Sequence, residues 1–285
     1  KGGKQMIVDL HTHYVRYPDD FTEPFFSDLD RCSIPRESWN YSEEEYLKGT
    51  EEADRVVVFG LRGKKTGWRV DNRVAAEFVS KNSEKYLFFT SIDPTEADFM
   101  RMLEEDYEKY HCRGVKIGPV YQGLHPHAPE YYKIYEYCEK HHLPIMTHMA
   151  TTFSSGVPLS YGNPVLMDEV ACDFPDLKIV MAHLGHPWVG ECIAAIRHQP
   201  NLFADVSALY YRPWQFYNAM RLVEEYGAGN KVFFGSDFPA TTTGDSIRGF
   251  RGVNAIVKGT GLPPVSEQLI ESIINRDSLE ILGIK

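Results

Sequence analysis

Eight short runs rich in β-branched and aromatic residues recur along the chain, and the stretches between them carry helical periodicity. The runs are MIVDLHTH (6–13), RVVVFG (55–60), YLFFTSID (86–93), GVKIGP (114–119), PIMTHM (144–149), KIVMAHLG (178–185), LFADVSAL (202–209) and KVFFGSD (231–237). After the third, Phe99, Met102, Leu103, Tyr107 and Tyr110 fall at the spacing of one helical stripe, and after the fourth Tyr131, Ile134, Tyr135 and Cys138 do the same. Ser42-x-x-Glu45 has the form of a capping box, and Asn163-Pro164 reads as an N-cap followed by proline at the first helical position. Strands alternating with helices are parallel and joined by crossovers, and these runs are apolar on both faces, as buried parallel strands are. Eight such units predict a single (β/α)₈ TIM barrel over 6–285, with its active site at the C-terminal strand ends. An open doubly wound sheet is the alternative, but no Gly-x-Gly-x-x-Gly follows the first strand to give it a nucleotide site. Residues 1–5 read as an expression remnant or trimmed leader.

Composition narrows the function classes. Forty acidic against 30 basic residues give a formal charge of −10, which argues against a nucleic-acid surface, and no apolar run approaches the ~18 residues of a membrane span. The five cysteines, an odd number with none in a Cys-x-x-Cys pair, suit a reduced cytoplasmic setting, and Cys138 and Cys192 fall on apolar helix faces as inert thiols. A homodimer is compatible with the sequence. Two long insertions stand out, 14–40 after the first strand and 240–264 after the eighth, and both fall on the face where barrel active sites are built.

The polar residues at the strand ends are few and of one kind. Strand one ends in His11 and His13, strand four carries Lys116, strand five ends at His148, strand six at His183 and strand eight at Asp237. In an extended strand residues two apart share a face, so His11 and His13 project together. Four imidazoles and a carboxylate at one barrel mouth suit a divalent metal with an open coordination position, zinc ahead of manganese. His125, His127 and His186 lie on loops facing the same mouth, whereas His111, His141, His142 and His198 sit at helix ends, where the dipole favours them.

The segments His11-Thr12-His13, Gly114-Val115-Lys116-Ile117, Pro144 to His148, Ala182 to Pro187 and Phe234 to Pro239 together resemble the amidohydrolase superfamily. Within it the chain is most similar to the amidohydrolase-2 branch of aminocarboxymuconate-semialdehyde decarboxylase-like metal-dependent hydrolases. The resemblance implies one divalent metal held by His11, His13, His148 and Asp237, with His183 as acid/base and Asp237 able to accept a proton from the metal-activated water. It also raises a binuclear variant bridged by a carboxylated Lys116, and of the two the single-metal site is preferred. Asp9, placed on the face of His11, is expected to orient a ligand.

The expected activity is hydrolysis of a small ester, lactone or amide. The alternative is nonoxidative decarboxylation of an aromatic or enoic acid, and a non-catalytic metal-binding barrel is the third reading. Candidates for holding the substrate, a carboxylate or lactone, are Arg62 after strand two, Tyr121 and Gln122 after strand four, His125 and His186, and Tyr210, Tyr211 and Arg212 after strand seven.

Overall fold

The computed structural model describes residues 6–284, so the segment 1–5 lies outside the described residues. All eight expected strands form: β1 (Val8–His13), β2 (Arg55–Phe59), β3 in two segments (Tyr86–Phe88 and Thr90–Ser91), β4 (Val115–Ile117), β5 (Ile145–Thr147), β6 (Ile179–Met181), β7 (Leu202–Asp205) and β8 (Val232–Phe233). Each pairs in parallel with the next in chain order. At the remaining seam Leu10 N–H donates to the Phe234 carbonyl (3.2 Å), Asp237 N–H to His11 (2.8 Å) and His13 N–H to Phe238 (2.9 Å), tying the end of β8 to β1. The chain is a (β/α)₈ barrel. No helix among the described residues is long and apolar enough to cross a membrane.

Alternation along the strands divides the core in two. Val57, Phe59, Met146, Val180, Phe203 and Phe233 point inward, and Leu279 and Leu282 of the last helix (Ser278–Leu282) plug the bottom of that inner core. Val56, Val58, Val115, Ile117, Ile145 and Ile179 point outward into the layer of helices. The helix over Pro129–Lys140 buries Tyr131, Ile134, Tyr135 and Cys138, as the stripe predicts, and burial pushes the Cys138 thiol well up, away from reactivity. The capping box is complete, with Ser42 Oγ accepting from Glu45 N–H (3.1 Å) and Glu45 accepting from Ser42 N–H (2.7 Å).

Three local readings change. The stripe after β3 ends with its helix at Glu108, two residues short of Tyr110. Asn163 does not cap a helix: its side chain accepts from Val165 N–H (3.0 Å) in a turn, and the helix begins at Leu166. β1 contains a bulge, with Asp9 opposite Val56 and Thr12 opposite Val58, so three steps on β1 match two on β2. The extra residue returns His11 and His13 to the interior while leaving Asp9 on the outer side.

The first insertion builds a wall at the C-terminal end, whereas the second forms a helix (Thr243–Arg251) whose Ile247 and Phe250 join the outer layer and only Ala240 reaches the cavity. The segment after β1 supplies the helix Glu23–Arg31 and Trp39. After β2, a short antiparallel hairpin pairs Arg62–Gly63 with Trp68–Arg69. Phe25, Trp39 and Trp68 pack edge to face, with Trp39 and Trp68 centroids 4.9 Å apart.

Candidate metal centre

The functional side chains leave the strand ends in unusual backbone conformations. His183, just after β6, and Asp237, after β8, have φ of 59° and 68°, and Ala208 after β7 has 58°. Left-handed backbone at a residue with a Cβ costs about 1–3 kcal/mol and persists only when its surroundings impose it. Here it turns His183 and Asp237 into the mouth.

Around Asp237 the groups converge. Its Oδ1 lies 3.3 Å from His11 Nε2 and 3.2 Å from His13 Nε2, and His11, His183 and Asp237 each bring one ligand atom within 4.8 Å of the others. Lys116 Nζ is 3.3 Å from His11 Nε2 and 4.6 Å from the centre of the Phe59 ring. The His148 ring lies 4.9 Å from that of His183, and its Nε2 faces the Thr151 carbonyl at 3.0 Å. His11, His183 and Asp237 thus form a mutually close triad, His13 joins it through Asp237 and Lys116 through His11, and His148 stands at the edge with one nitrogen engaged.

Burial governs the charges. Desolvation first, and the Lys116 charge second, hold His11 and His13 well below the usual imidazole range and His148 at about 3; burial does the same to His183, with the neighbouring His148 and His11 adding to it. All four rings are neutral, the form that binds metal. Burial also pushes Asp237 up and Lys116 down, each opposed by opposite charge, with Lys116 acting on Asp237 and both Asp205 and Asp237 acting on Lys116. The donor set fits a divalent cation: neutral imidazole nitrogens and a carboxylate around one buried point, with His11 Nδ1 already committed to Asp205 (2.9 Å) so that its Nε2 faces the cluster.

In the sequence Asp205 and Ser207 stand simply as part of the seventh strand run, LFADVSAL. Asp205, at the end of β7, accepts from His11 Nδ1, from the His183 backbone N–H (3.0 Å) and from Ser207 N–H (3.0 Å). The signal was present: an acidic residue and a serine two apart, breaking the apolar run on its inward face. Asp205 takes the place expected of Asp9, whose carboxylate instead accepts from Ser236 N–H (2.8 Å) and the Thr243 hydroxyl (2.6 Å) behind the barrel wall.

Above the cluster opens a cavity of about 340 Å³. His13, Lys116, His148, His183 and Asp237 form its floor, while Trp39, Trp68, Tyr121 and Phe153 contribute an aromatic side and His186, Tyr211 and Arg212 also line it. The other substrate candidates lie elsewhere. Arg62 is spent on a bidentate pair with Glu96 (2.6 and 2.8 Å) and on the Val70 carbonyl. Gln122 is buried and braces the Arg62 and Ile92 carbonyls (2.7 Å each). Tyr210 donates to the Gly235 carbonyl (2.8 Å) among Phe216 and Phe250, and His125 packs against His127 and Tyr161 outside the cavity.

A parallel barrel with imidazoles and a carboxylate gathered at the C-terminal strand ends defines a class of metal-site barrels. This chain belongs to the amidohydrolase family, whose model matches residues 8–276. Among solved structures it is similar to an uncharacterised TIM-barrel protein of Bordetella bronchiseptica (TM-score 0.72, 19% identity, covering 97% of this chain and 98% of that one). It is also similar to 5-carboxyvanillate decarboxylase of Novosphingobium aromaticivorans complexed with manganese and 4-hydroxy-3-methoxy-5-nitrobenzoic acid (0.66, 12%, 99% and 98%). A third is a probable 2-pyrone-4,6-dicarboxylic acid hydrolase of Acinetobacter baumannii with citric acid bound (0.63, 16%, 98% and 99%). No curated protein matches the sequence.

Proposed function

We propose that this protein is a metal-dependent hydrolase of a small carboxylate-bearing ester or lactone. The observation that carries the reading is the convergence of His11, His183 and Asp237 on one buried point beneath an aromatic-sided cavity. His11, His13, His148 and Asp237 would hold one divalent cation, zinc or manganese. Such an ion supplies Lewis acidity, polarising an oxygen of water or substrate. Asp237, its carboxyl raised by burial, is suited to accept a proton there, and His183 to pass it to the leaving group. Arg212, the one arginine among the described residues lining the cavity, fits the carboxylate of the substrate, and Trp39, Trp68 and Tyr121 fit its flat face.

Two observations favour a second assignment within the site. His148 Nε2 is engaged by the Thr151 carbonyl, and His183 is in the closest triad, which gives His183 an equal claim to the cation. The second reaction is decarboxylation, supported by the likeness to a decarboxylase and by a cavity whose aromatic side suits a flat acid. The deciding experiment screens lactones and esters beside hydroxybenzoates in the presence of zinc or manganese, following acid release and CO₂ separately. Metal-dependent lactone or ester turnover without CO₂ supports hydrolysis; CO₂ release without it establishes the alternative.

A further inference from the structure

The hydrogen bonds around Asp205 determine where the protons of two site histidines sit. Four donors aim at this carboxylate. Asp205 Oδ2 faces His11 Nδ1 at 2.9 Å; Oδ1 receives the backbone N–H groups of His183 and Ser207 at 3.0 Å each and is in close contact with the Ser207 hydroxyl. A carboxylate only accepts, so the single Ser207 hydroxyl proton goes to Asp205. The Ser207 oxygen is then left with lone pairs alone, and His183 Nδ1 lies 2.8 Å from it. That nitrogen is also 3.1 Å from the Ser207 carbonyl, a second acceptor with nothing to donate. His183 Nδ1 therefore carries a hydrogen. By the same count His11 carries its hydrogen on Nδ1, directed at Asp205, with the Ser207 oxygen a more distant neighbour at 3.2 Å.

We infer that Ser207 is a positioning residue that relays the acceptor demand of Asp205 to His183, so that one carboxylate fixes the tautomer of His11 directly and of His183 through a hydroxyl. Both rings then present a bare Nε2 to the cluster. Asp205, Ser207 and both rings are buried, so water does not compete for these bonds. For His183 the arrangement has a further effect: when Nε2 takes up a proton, the positive ring already donates through Nδ1 to an oxygen whose own proton leans on a carboxylate. The polarised chain favours that charged ring without Asp205 touching it. A histidine waiting to accept a proton on Nε2 needs this tautomer, and the opposite one would block both proton transfer and ligation. The catalytic consequence rests on the role proposed for His183 above, whereas the tautomer itself does not.

The test is long-range nitrogen–proton NMR of the metal-free protein labelled on histidine, read beside kinetics of the metal-loaded enzyme. In the wild type, His11 and His183 are expected to show Nδ1 protonated and Nε2 bare. Ser207→Ala, with circular dichroism unchanged, is expected to leave His11 as it was, shift the His183 Nδ1 resonances as the nearer of its two acceptors is lost and only the Ser207 carbonyl remains, admit a minor second tautomer there, and lower kcat by about 10–100-fold with KM little changed. Asp205→Asn, which keeps the shape but offers one acceptor oxygen in place of two, is expected to disturb the tautomers of both rings. A wild-type His183 protonated on Nε2 overturns the proposal, as does a Ser207→Ala protein whose His183 spectrum is unchanged. If the tautomers behave as stated while kcat is untouched, the relay stands and the acid/base role of His183 falls.

Discussion

The two ends of the barrel are built from the same strands and hold opposite chemistries. At the bottom Val57, Phe203 and Phe233 face Leu279 and Leu282, with the Phe203 and Phe233 rings stacked 5.1 Å apart. A few residues further along the barrel strands stand His11, Lys116, Asp205 and, past the strand ends, His183 and Asp237, all largely withdrawn from water. Apolar burial at the bottom stabilises by ~25 cal/mol per Å² removed from water. Burial of charge and imidazole at the mouth costs free energy unless each group is paired, and left-handed backbone at His183 and Asp237 adds to that cost. One end therefore holds the fold together, and the other is kept in a strained and desolvated state because its neighbours impose it.

Substitutions at the mouth should remove function with little loss of fold, and this is where the largest effect is expected. Asp237→Ala is expected to abolish turnover together with metal binding, while thermal unfolding of the metal-free protein stays close to that of the metal-free wild type, since the change removes a buried carboxyl but keeps a Cβ on left-handed backbone. Elemental analysis and calorimetry read the two halves. A variant that unfolds would show the mouth to be as structural as the bottom. Next comes His183→Asn, expected to retain metal and lose about 10²–10⁴-fold in kcat, against His148→Ala, expected to lose metal. Equal emptying of the site by both would make His183 a ligand, the assignment favoured by its place in the closest triad.

How far the sequence reveals each end follows from the range of the interactions involved. The strands of the barrel are legible because buried parallel strands are apolar on both faces, so a run such as Arg55-Val56-Val57-Val58-Phe59 identifies itself. His11, His13, His183 and Asp237 are legible because strand order brings strand ends together. The bulge in β1 is not, since nothing in Val8-Asp9-Leu10-His11 marks an extra residue, and a one-residue shift transfers Asp9 from the expected face to the other. The hairpin at Arg62–Arg69 escapes for a similar reason: two residues per strand carry no periodicity, and its place is set by Trp68 packing on Phe25 and Trp39. Arg62 stands as a substrate candidate in the sequence because its partner Glu96 lies 34 residues away in the chain.

Phe233→Ala should show the converse at the bottom. Truncating a buried aromatic ring there is expected to cost about 3–5 kcal/mol of stability, by chemical denaturation, and to leave kcat and metal content unchanged at temperatures where the variant is folded. A matching fall in kcat would mean that the inner packing sets the geometry of the mouth through the short strand between them.

The smallest effect tests whether the bottom rejects charge as the comparison requires. Lys231 enters β8 from below, with its Nζ 4.1 Å from the centre of the Phe203 ring and 2.6 Å from the Pro200 carbonyl, and burial pushes its ammonium down to about 8. An unfolded lysine titrates near ~10.4, so between that value and 8 the unfolded chain binds the proton that the folded chain refuses. Stability from this group is then fully present above the unfolded value and lost as pH falls toward 8, with nothing further lost below. Lys231→Met removes the titration. At pH 7 the variant should unfold at a modestly higher temperature than the wild type, and the gap should close as pH rises from 8 toward ~10.4, a small effect because the side chain is partly exposed. A wild type that is the more stable of the two at pH 7 would show that the Phe203 ring and the Pro200 carbonyl outweigh desolvation, and that the bottom of the barrel accepts a cation after all.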